Sequence, residues 1–169
     1  MKKILIIFVT IIILVTINNK NNYIINNDSI RFRVIANSNS VKDIEMKEKV
    51  VKELSGVLFK RVNSKEKMNE EIYSNLKNIE EIITKLFKSS NYDKNFKISY
   101  GKNSFPKKVY RNHIYEEGEY DSLVIEIGSG KGNNYFCFLY PSLCIVDYEE
   151  KENANGYSSK IVNIISKLF

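Results

Sequence analysis

The feature that most constrains the fold is a change of hydrophobic period near residue 90. Before it, apolar residues recur every three or four positions in the stripe Met68, Ile72, Leu76, Ile79, Ile83 and Leu86. After it, apolar and polar residues alternate, which is the period of a strand. Because a coiled coil needs three or more sustained heptads, the stripe favours an amphipathic helix that covers a sheet.

A strand and a further helix precede that stripe. In SIRFRVIANS one side of the predicted strand is apolar and the other basic, with Ile30, Phe32 and Val34 against Arg31 and Arg33. This alternation predicts a half-buried strand with its arginines towards solvent.

Capping residues mark the starts of both helices. Ser40 is expected to cap a helix that runs to about Arg61, with Asp43 in a capping-box-like position. Its apolar positions begin at Val41. Ser64 is expected to start the second helix.

Strand-like segments fill the second half of the chain. They cover residues 96–100, 109–115, 123–127, 135–140 and 143–146. The ending GYSSKIVNIISKLF predicts a short C-terminal helix. We therefore expect an α+β fold. Its sheet should be largely antiparallel, with two long amphipathic helices inserted after the first strand and a short C-terminal helix.

The N-terminus indicates export. Lys2 and Lys3 precede an uncharged run from residue 4 to residue 17, which is short for a membrane span of about 20 residues but fits a signal-peptide core. No A-x-A-like cleavage site follows it. We expect residues 1–19 to be a signal peptide or membrane anchor, residues 20–29 an Asn-rich linker, and residues 30–169 a single exported domain.

The charge pattern argues against a nucleic-acid partner. The chain has 26 Lys and Arg against 20 Asp and Glu, a net charge of +6 over 169 residues. The basic residues are dispersed along the chain, whereas nucleic-acid binders concentrate them on one face. They are expected to form a solvated surface.

The chain contains two cysteines, Cys137 and Cys144. Structural zinc needs four Cys or His ligands, and the chain adds only His113. The spacing also differs from the C-x-x-C of redox pairs. Because disulfides persist outside the cytoplasm, export predicts a bridge between the two cysteines, with free thiols as the alternative.

The segment GSGKGNN, with Gly128, Gly130 and Gly132, resembles a phosphate-binding loop only superficially. Lys131 is followed by glycine instead of Ser or Thr, and a strand-like run follows where a helix would be needed. A turn between strands is the favoured interpretation, and a nucleotide or small-ligand site is the alternative.

No catalytic constellation stands out. His113 has no nucleophile motif beside it, and the acidic cluster Glu116, Glu117, Glu119 and Asp121 shows no spacing typical of glycosidase carboxylates. The residues alone predict a non-enzymatic exported domain that needs no cofactor or metal. The alternative is an exported cell-wall hydrolase that uses Glu117, Glu119 or His113.

Four segments together resemble the stage II sporulation protein R family: IRFRVIANSNS, YGKNSFPKKVY, EEGEYDSLVIEIGSGKGNNYFC and LYPSLCIVD. The resemblance covers residues 30–147. The chain departs from the family pattern at Tyr135 and Phe136, where tryptophans are usual, and at Ser142, where a second proline is common.

The resemblance implies a signalling role in endospore formation. Such proteins are exported from the forespore to the space between the two membranes, where they trigger a membrane-embedded aspartic protease. That protease removes the pro-sequence of the mother-cell sigma-E factor. The chain would then be the signal and not the protease, either secreted or held to the membrane by residues 4–19.

Two segments are the predicted contacts for that protease. The predicted contact residues are Asn37 and Ser38 in the first segment and Tyr135, Phe136, Phe138, Tyr140 and Pro141 in the second. Tyrosine and phenylalanine are enriched at interface cores. The alternative for both segments is maintenance of the fold, as a turn with its helix cap and as a core strand.

Overall fold

The computed structural model describes residues 28–110 and 113–144. Their elements are, in chain order, β1 (Ile30–Ile35), α1 (Val41–Leu58), α2 (Lys65–Ser89), β2 (Phe96–Phe105), β3 (Lys108–Tyr110), β4 (His113–Tyr115), β5 (Gly118–Ile127) and β6 (Asn134–Tyr140). This is the predicted α+β order of one strand, two helices and further strands. The predicted export segment and the predicted C-terminal helix lie outside the described residues.

The main sheet is mixed, with the strand order β2-β5-β1-β6. Its central strand β1 runs parallel to β5 and antiparallel to β6. The prediction of a largely antiparallel sheet is therefore wrong in this respect. A parallel neighbour requires a long crossover connection, and the chain between β1 and β5 supplies it, including both helices. Alternation along a strand does not reveal the direction of its neighbour.

The core lies between the helices and one face of this sheet. The apolar side of β1, formed by Ile30, Phe32 and Val34, is fully buried. From the helices come the buried residues Met46, Val50, Val51, Leu54, Leu58, Met68, Ile72, Ile79, Ile83 and Phe87. Val41, expected in the apolar stripe of α1, is 75% exposed.

Both predicted helix caps are confirmed. The Ser40 hydroxyl accepts a hydrogen bond from the Asp43 amide at 3.2 Å, and the Ser64 hydroxyl accepts one from the Lys67 amide at 3.3 Å. Each serine thereby satisfies one of the amides that a helix leaves open at its start. Among the described residues, no helix is both long enough and apolar enough to cross a membrane.

The basic side of β1 is not the solvated face that its alternation predicted. Arg31 is only 2% exposed, and its guanidinium carbon lies 3.3 Å from the centre of the Tyr120 ring and 4.7 Å from that of Phe105. Phe136 and Phe138 lie within 6 Å of the same group. Aromatic faces attract a guanidinium and let it be buried. Both faces of β1 are therefore packed.

A charge network joins the starts of β1, α2 and β5. The ammonium of Lys65 lies 3.0 Å from a carboxylate oxygen of Asp28 and 2.9 Å from one of Asp121, which also binds Lys102 at 3.1 Å. The hydrogen bond to Asp121 raises the pKa of Lys65. Burial would raise the pKa of Asp121, but its two lysine partners lower it overall. The network holds Asp28, which lies near the end of the predicted linker.

Residues 106–118 form a separate compact unit. In it β3 and β4 pair antiparallel, with Val109 opposite Ile114, and Lys107 and Glu116 form an exposed ion pair at 3.1 Å. The prediction of one strand over residues 109–115 is therefore wrong. The predicted strand over residues 143–146 is wrong for its described part, because residues 143–144 are helical and follow a turn at residues 141–142.

The burial of β1 can be tested by truncation. We expect Phe32→Ala to lower the free energy of unfolding by about 3–5 kcal/mol, because the ring is fully buried between the sheet and the helices. Val41→Ala removes an exposed apolar side chain and should change it by less than about 0.5 kcal/mol. Urea unfolding of both variants measures the difference. Equal losses would contradict the described core.

Candidate functional site: two interlocked loops and a disulfide turn

Two loops lie side by side at one edge of the sheet. The asparagine loop, residues 36–40, follows β1, and the glycine loop, residues 128–133, follows β5. Because β1 and β5 are parallel, their carboxyl ends meet at the same edge. Both loops belong to segments that carry the family resemblance, so their contact joins two distant parts of the motif.

Asn37 is the main anchor between the loops. Its side-chain oxygen accepts a hydrogen bond from the Ser129 amide at 3.0 Å. Its backbone carbonyl accepts one from the Ser129 hydroxyl at 2.7 Å and one from the Lys131 amide at 3.3 Å. One residue of the asparagine loop thus holds two residues of the glycine loop.

The remaining amides of the glycine loop also donate within the protein. The Gly132 amide donates to the Ala36 carbonyl at 2.8 Å, and the Asn133 amide to the Asn39 side chain at 2.7 Å. The other two donations run from Gly128 to Asn95 and from Gly130 to Ile127. A phosphate site needs amides that are open to the ligand, and here all six are engaged. The glycines serve a turn, which was the favoured interpretation.

Two of the glycines allow the loops to approach closely. Gly128 has φ = 56°, and a Cβ at this position would lie 2.3 Å from the Asn37 side-chain oxygen. A Cβ at Gly132 would lie 2.3 Å from the Ser38 carbonyl oxygen. The glycines are therefore required by packing between the loops.

A buried carboxylate organises the asparagine loop from below. Asp43, 6% exposed, accepts hydrogen bonds from the Ser38 hydroxyl at 2.5 Å, the Asn37 side-chain NH₂ at 2.8 Å and the Tyr92 hydroxyl at 2.6 Å. Its side chain does not complete a capping box, because the Ser40 amide donates to Ser38 instead, at 3.1 Å. Reasoning from the sequence did not find Asp43 and Tyr92 as a pair, since they lie 49 positions apart.

These hydrogen bonds keep Asp43 ionised. The Ser38 hydroxyl, followed by Tyr92, Asn37 and Ser40, holds its pKa well below the usual range and outweighs burial, which acts in the opposite direction. Burial and the neighbouring carboxylate raise the pKa of Tyr92, so its phenol stays protonated as a donor. The result is a fixed negative charge beneath the interlocked loops.

A disulfide turn closes the other end of β6. Cys137 and Cys144 are bridged, with their Cα atoms 5.2 Å apart, and both are buried. Within the turn, the Ser142 hydroxyl donates to the Lys60 carbonyl at 3.0 Å and accepts from the Val62 amide at 3.4 Å. The turn therefore holds the connection between α1 and α2 to β6.

The predicted aromatic contact block is divided between the two faces of the sheet. Tyr135 lies opposite Val34, and its ring contacts Phe32. Phe136 and Phe138 lie on the other face, with their rings 5.1 Å apart. Phe138 is buried, Tyr135 and Phe136 are half-buried, Tyr140 is half-buried and Pro141 is exposed. Their role as a contact surface stays a prediction.

The carboxylates of the alternative hydrolase lie at the surface. Glu117 and Glu119 are exposed, and a general-acid carboxylate needs a raised pKa, which burial commonly supplies. Over residues 28–110 and 113–144, no three His, Cys, Asp or Glu side chains are grouped to hold a metal ion.

Comparison with known proteins agrees with the motif segments. Residues 26–150 match the family described as Stage II sporulation protein R. This chain belongs to that family. It is similar to Stage II sporulation protein R of Bacillus subtilis (strain 168), with 30% identity over 156 residues, which cover 85% of this chain and 69% of the relative. No solved structure gives a significant match.

Membership of the stage II sporulation protein R family supports a role in sporulation. The matched range includes the asparagine loop, the glycine loop and the disulfide turn. Ser142 also lies in this range, and its hydroxyl makes the contacts to the connection between the helices.

The fit between the loops can be tested with two Gly→Ala variants. We expect Gly132→Ala to lower the free energy of unfolding by about 1–3 kcal/mol, because its Cβ would overlap the Ser38 backbone. In the control Gly56→Ala, nothing lies within 4 Å of the new Cβ. That variant should gain about 0.5–1 kcal/mol through helix propensity. Thermal or urea unfolding compares them, and a neutral Gly132→Ala would refute the close approach.

The buried charge can be tested by pH. Because the folded pKa of Asp43 lies below its unfolded value of 3.8, its stabilisation is complete well above pH 4 and is lost as the pH falls below that value. At pH 7 we expect Asp43→Asn to lower the free energy of unfolding by about 1–3 kcal/mol, since an amide cannot accept from all three donors. Urea unfolding of both proteins over a range of pH measures this loss. The difference between the two proteins should shrink below about pH 4. A difference that does not depend on pH would contradict an ionised Asp43.

Proposed function

We propose that this protein is an exported signal of endospore formation. It leaves the forespore, reaches the space between the two membranes and triggers a membrane-embedded aspartic protease, which then removes the pro-sequence of sigma-E. The single observation that supports this most strongly is the family match over residues 26–150. The disulfide adds support, because such bridges persist outside the cytoplasm.

On this proposal the chain is a ligand and performs no catalysis. A ligand shifts a protease towards its active state only if it binds that state more tightly. A rigid surface suits this role, because it cannot adapt its shape to the inactive state, and little conformational entropy is lost when it binds. Residues 4–19 would serve as the signal peptide or as the membrane tether.

We place the contact with the protease on the outer face of the interlocked loops. Asn37 and Ser38 direct their side chains into the hydrogen bonds with Ser129 and Asp43. Their role would therefore be to position the exposed neighbours Asn39 and Lys131. The Asn39 side chain is itself held by the Asn133 amide, so Lys131 is the main candidate to meet a partner. The asparagine loop, the glycine loop and Tyr92 in the chain after α2 hold this surface together. Such a surface suits a signal that must keep one shape.

The predicted contacts at Tyr140 and Pro141 lie at the other end of β6. A strand of seven residues spans about 20 Å at about 3.3 Å per residue. A partner centred on the loops would therefore reach them only across the length of the sheet. We assign the aromatic block mainly to support of the fold, with exposed Pro141 as a second, smaller contact.

Co-expression in cells that do not sporulate tests the proposal. The full chain would be produced together with the protease and the pro-sigma-E precursor, and cleavage followed by immunoblot. We expect cleavage with the exported chain and little with a form that lacks residues 1–19, because the latter stays on the wrong side of the membrane. Precursor that remains intact with the exported chain would refute the signalling role.

A charge reversal on the loop surface extends this assay. Lys131→Glu changes an exposed side chain of the glycine loop, and Lys49→Glu makes the same change on the exposed side of α1. We expect the first to reduce cleavage about tenfold or more, as the loss of an energetically central contact does, and the second to leave it unchanged. Both should keep the melting temperature. Equal activity of the two variants would exclude the loop face as the contact.

A further inference from the structure

A groove runs between α2 and β2, away from the loops and the disulfide turn. Its volume is about 390 Å³. The residues that line it are Tyr73, Leu76, Lys77, Glu80, Phe96, Ile98 and Tyr100. One wall is thus a helix and the other a strand, and most of the lining is apolar or aromatic. Nothing in the proposed function uses this groove.

The strand that forms this wall lies at an edge. Among the described strands of the main sheet, β2 has β5 on one side and no strand on the other. An edge strand presents backbone donors and acceptors with which another extended chain can pair. Because side chains alternate along a strand, every second residue of an added strand would point towards α2 and into the groove.

Two tyrosines form one end of the groove. The rings of Tyr73 and Tyr100 meet edge to face, with their centres 5.0 Å apart, and Tyr73 is 64% exposed. The Tyr100 hydroxyl donates to the Asn69 side chain, and burial raises its pKa to about 12, so it stays a donor. The aromatic wall is therefore held in place before anything binds.

The charges of this edge select the partner. The helical wall carries one charge of each sign, Lys77 and Glu80, so the groove itself has no net charge. Lys97 is exposed on the face of β2 opposite to the groove-lining residues Phe96 and Ile98 and supplies the charge that selects. Neither lysine forms an ion pair within the described ranges. Opposite charges on neighbouring strands stabilise their pairing, and like charges destabilise it. A second copy of β2 would bring lysine against lysine, whereas an acidic strand would be attracted.

We propose that the edge of β2 and the groove beside α2 bind an extended acidic peptide segment of a partner protein. Alternate apolar side chains of that segment enter the groove between Tyr73 and Ile98, and the acidic side chains between them face Lys97. The segment pairs its backbone with β2 as an added strand. This inference stands on the groove alone, so it can fail while the signalling role holds.

Fluorescence anisotropy with two synthetic peptides tests it. The probe is a labelled nine-residue peptide of alternating valine and glutamate, and the control alternates valine and lysine. With the full chain we expect saturable binding of the glutamate peptide at neutral pH and binding of the lysine peptide at least about tenfold weaker. Absence of saturation, or equal binding of both peptides, would overturn the proposal.

Variants then locate the binding. We expect Tyr73→Ala to weaken binding of the glutamate peptide about tenfold, as truncation of an aromatic anchor does. Lys97→Glu should reverse the preference between the peptides, and the control Lys52→Glu, on the exposed side of α1, should change nothing. All three positions are exposed, so the variants should keep the melting temperature of the unchanged protein. If Tyr73→Ala melts at a lower temperature, the test of the proposal is the result with Lys97→Glu. Unchanged preference in Lys97→Glu would place the peptide elsewhere and sink the idea.

Analytical ultracentrifugation tests whether a second copy of this chain, and not an acidic partner, occupies the groove. We expect the full chain to give the same sedimentation coefficient as its Tyr73→Ala variant at matched concentration. A dimer that disappears in the variant would show that a second copy fills the groove, and it would overturn the assignment to an acidic partner.

Discussion

The parallel pairing of β1 with β5 is the contact on which the rest of the main body depends. It runs from Ile30 opposite Asp121 to Ile35 opposite Glu126. A parallel pair needs a long crossover, and the two helices lie in it and cover one face of the sheet. Because the two strands run in the same direction, their carboxyl ends lie side by side. There the asparagine loop meets the glycine loop, so the position of the candidate site follows from the strand direction.

Asp43 fixes the conformation of the asparagine loop at the place where the two loops meet. A buried carboxylate is costly unless several donors satisfy it. Its donors come from the asparagine loop and from Tyr92, beyond the end of α2. The first turn of α1, the loop and the chain after α2 are therefore held around one charge. The glycine loop is bound through Asn37, and its backbone amides donate hydrogen bonds within the protein.

The two edges of the described sheet are finished differently. At β6 the disulfide turn folds back and binds the connection between the helices through Ser142. At β2 a groove with an aromatic end remains beside α2. The signalling function proposed above requires surfaces of this kind. The interlocked loops and the groove are separate enough in the fold to serve two contacts.

Local patterns in the sequence were sufficient to predict the helices, their caps and the family. Helical spacing predicted both helices, Ser40 and Ser64 predicted their caps, and the motif segments predicted the family, because each signal lies within a few neighbouring residues. The direction of β5, the aromatic burial of Arg31 and the donors to Asp43 were decided only in the folded protein. Ser129 reaches Asn37 across 92 positions. Such contacts depend on which strands pair, and the side-chain period of a strand is the same for either direction of its neighbour.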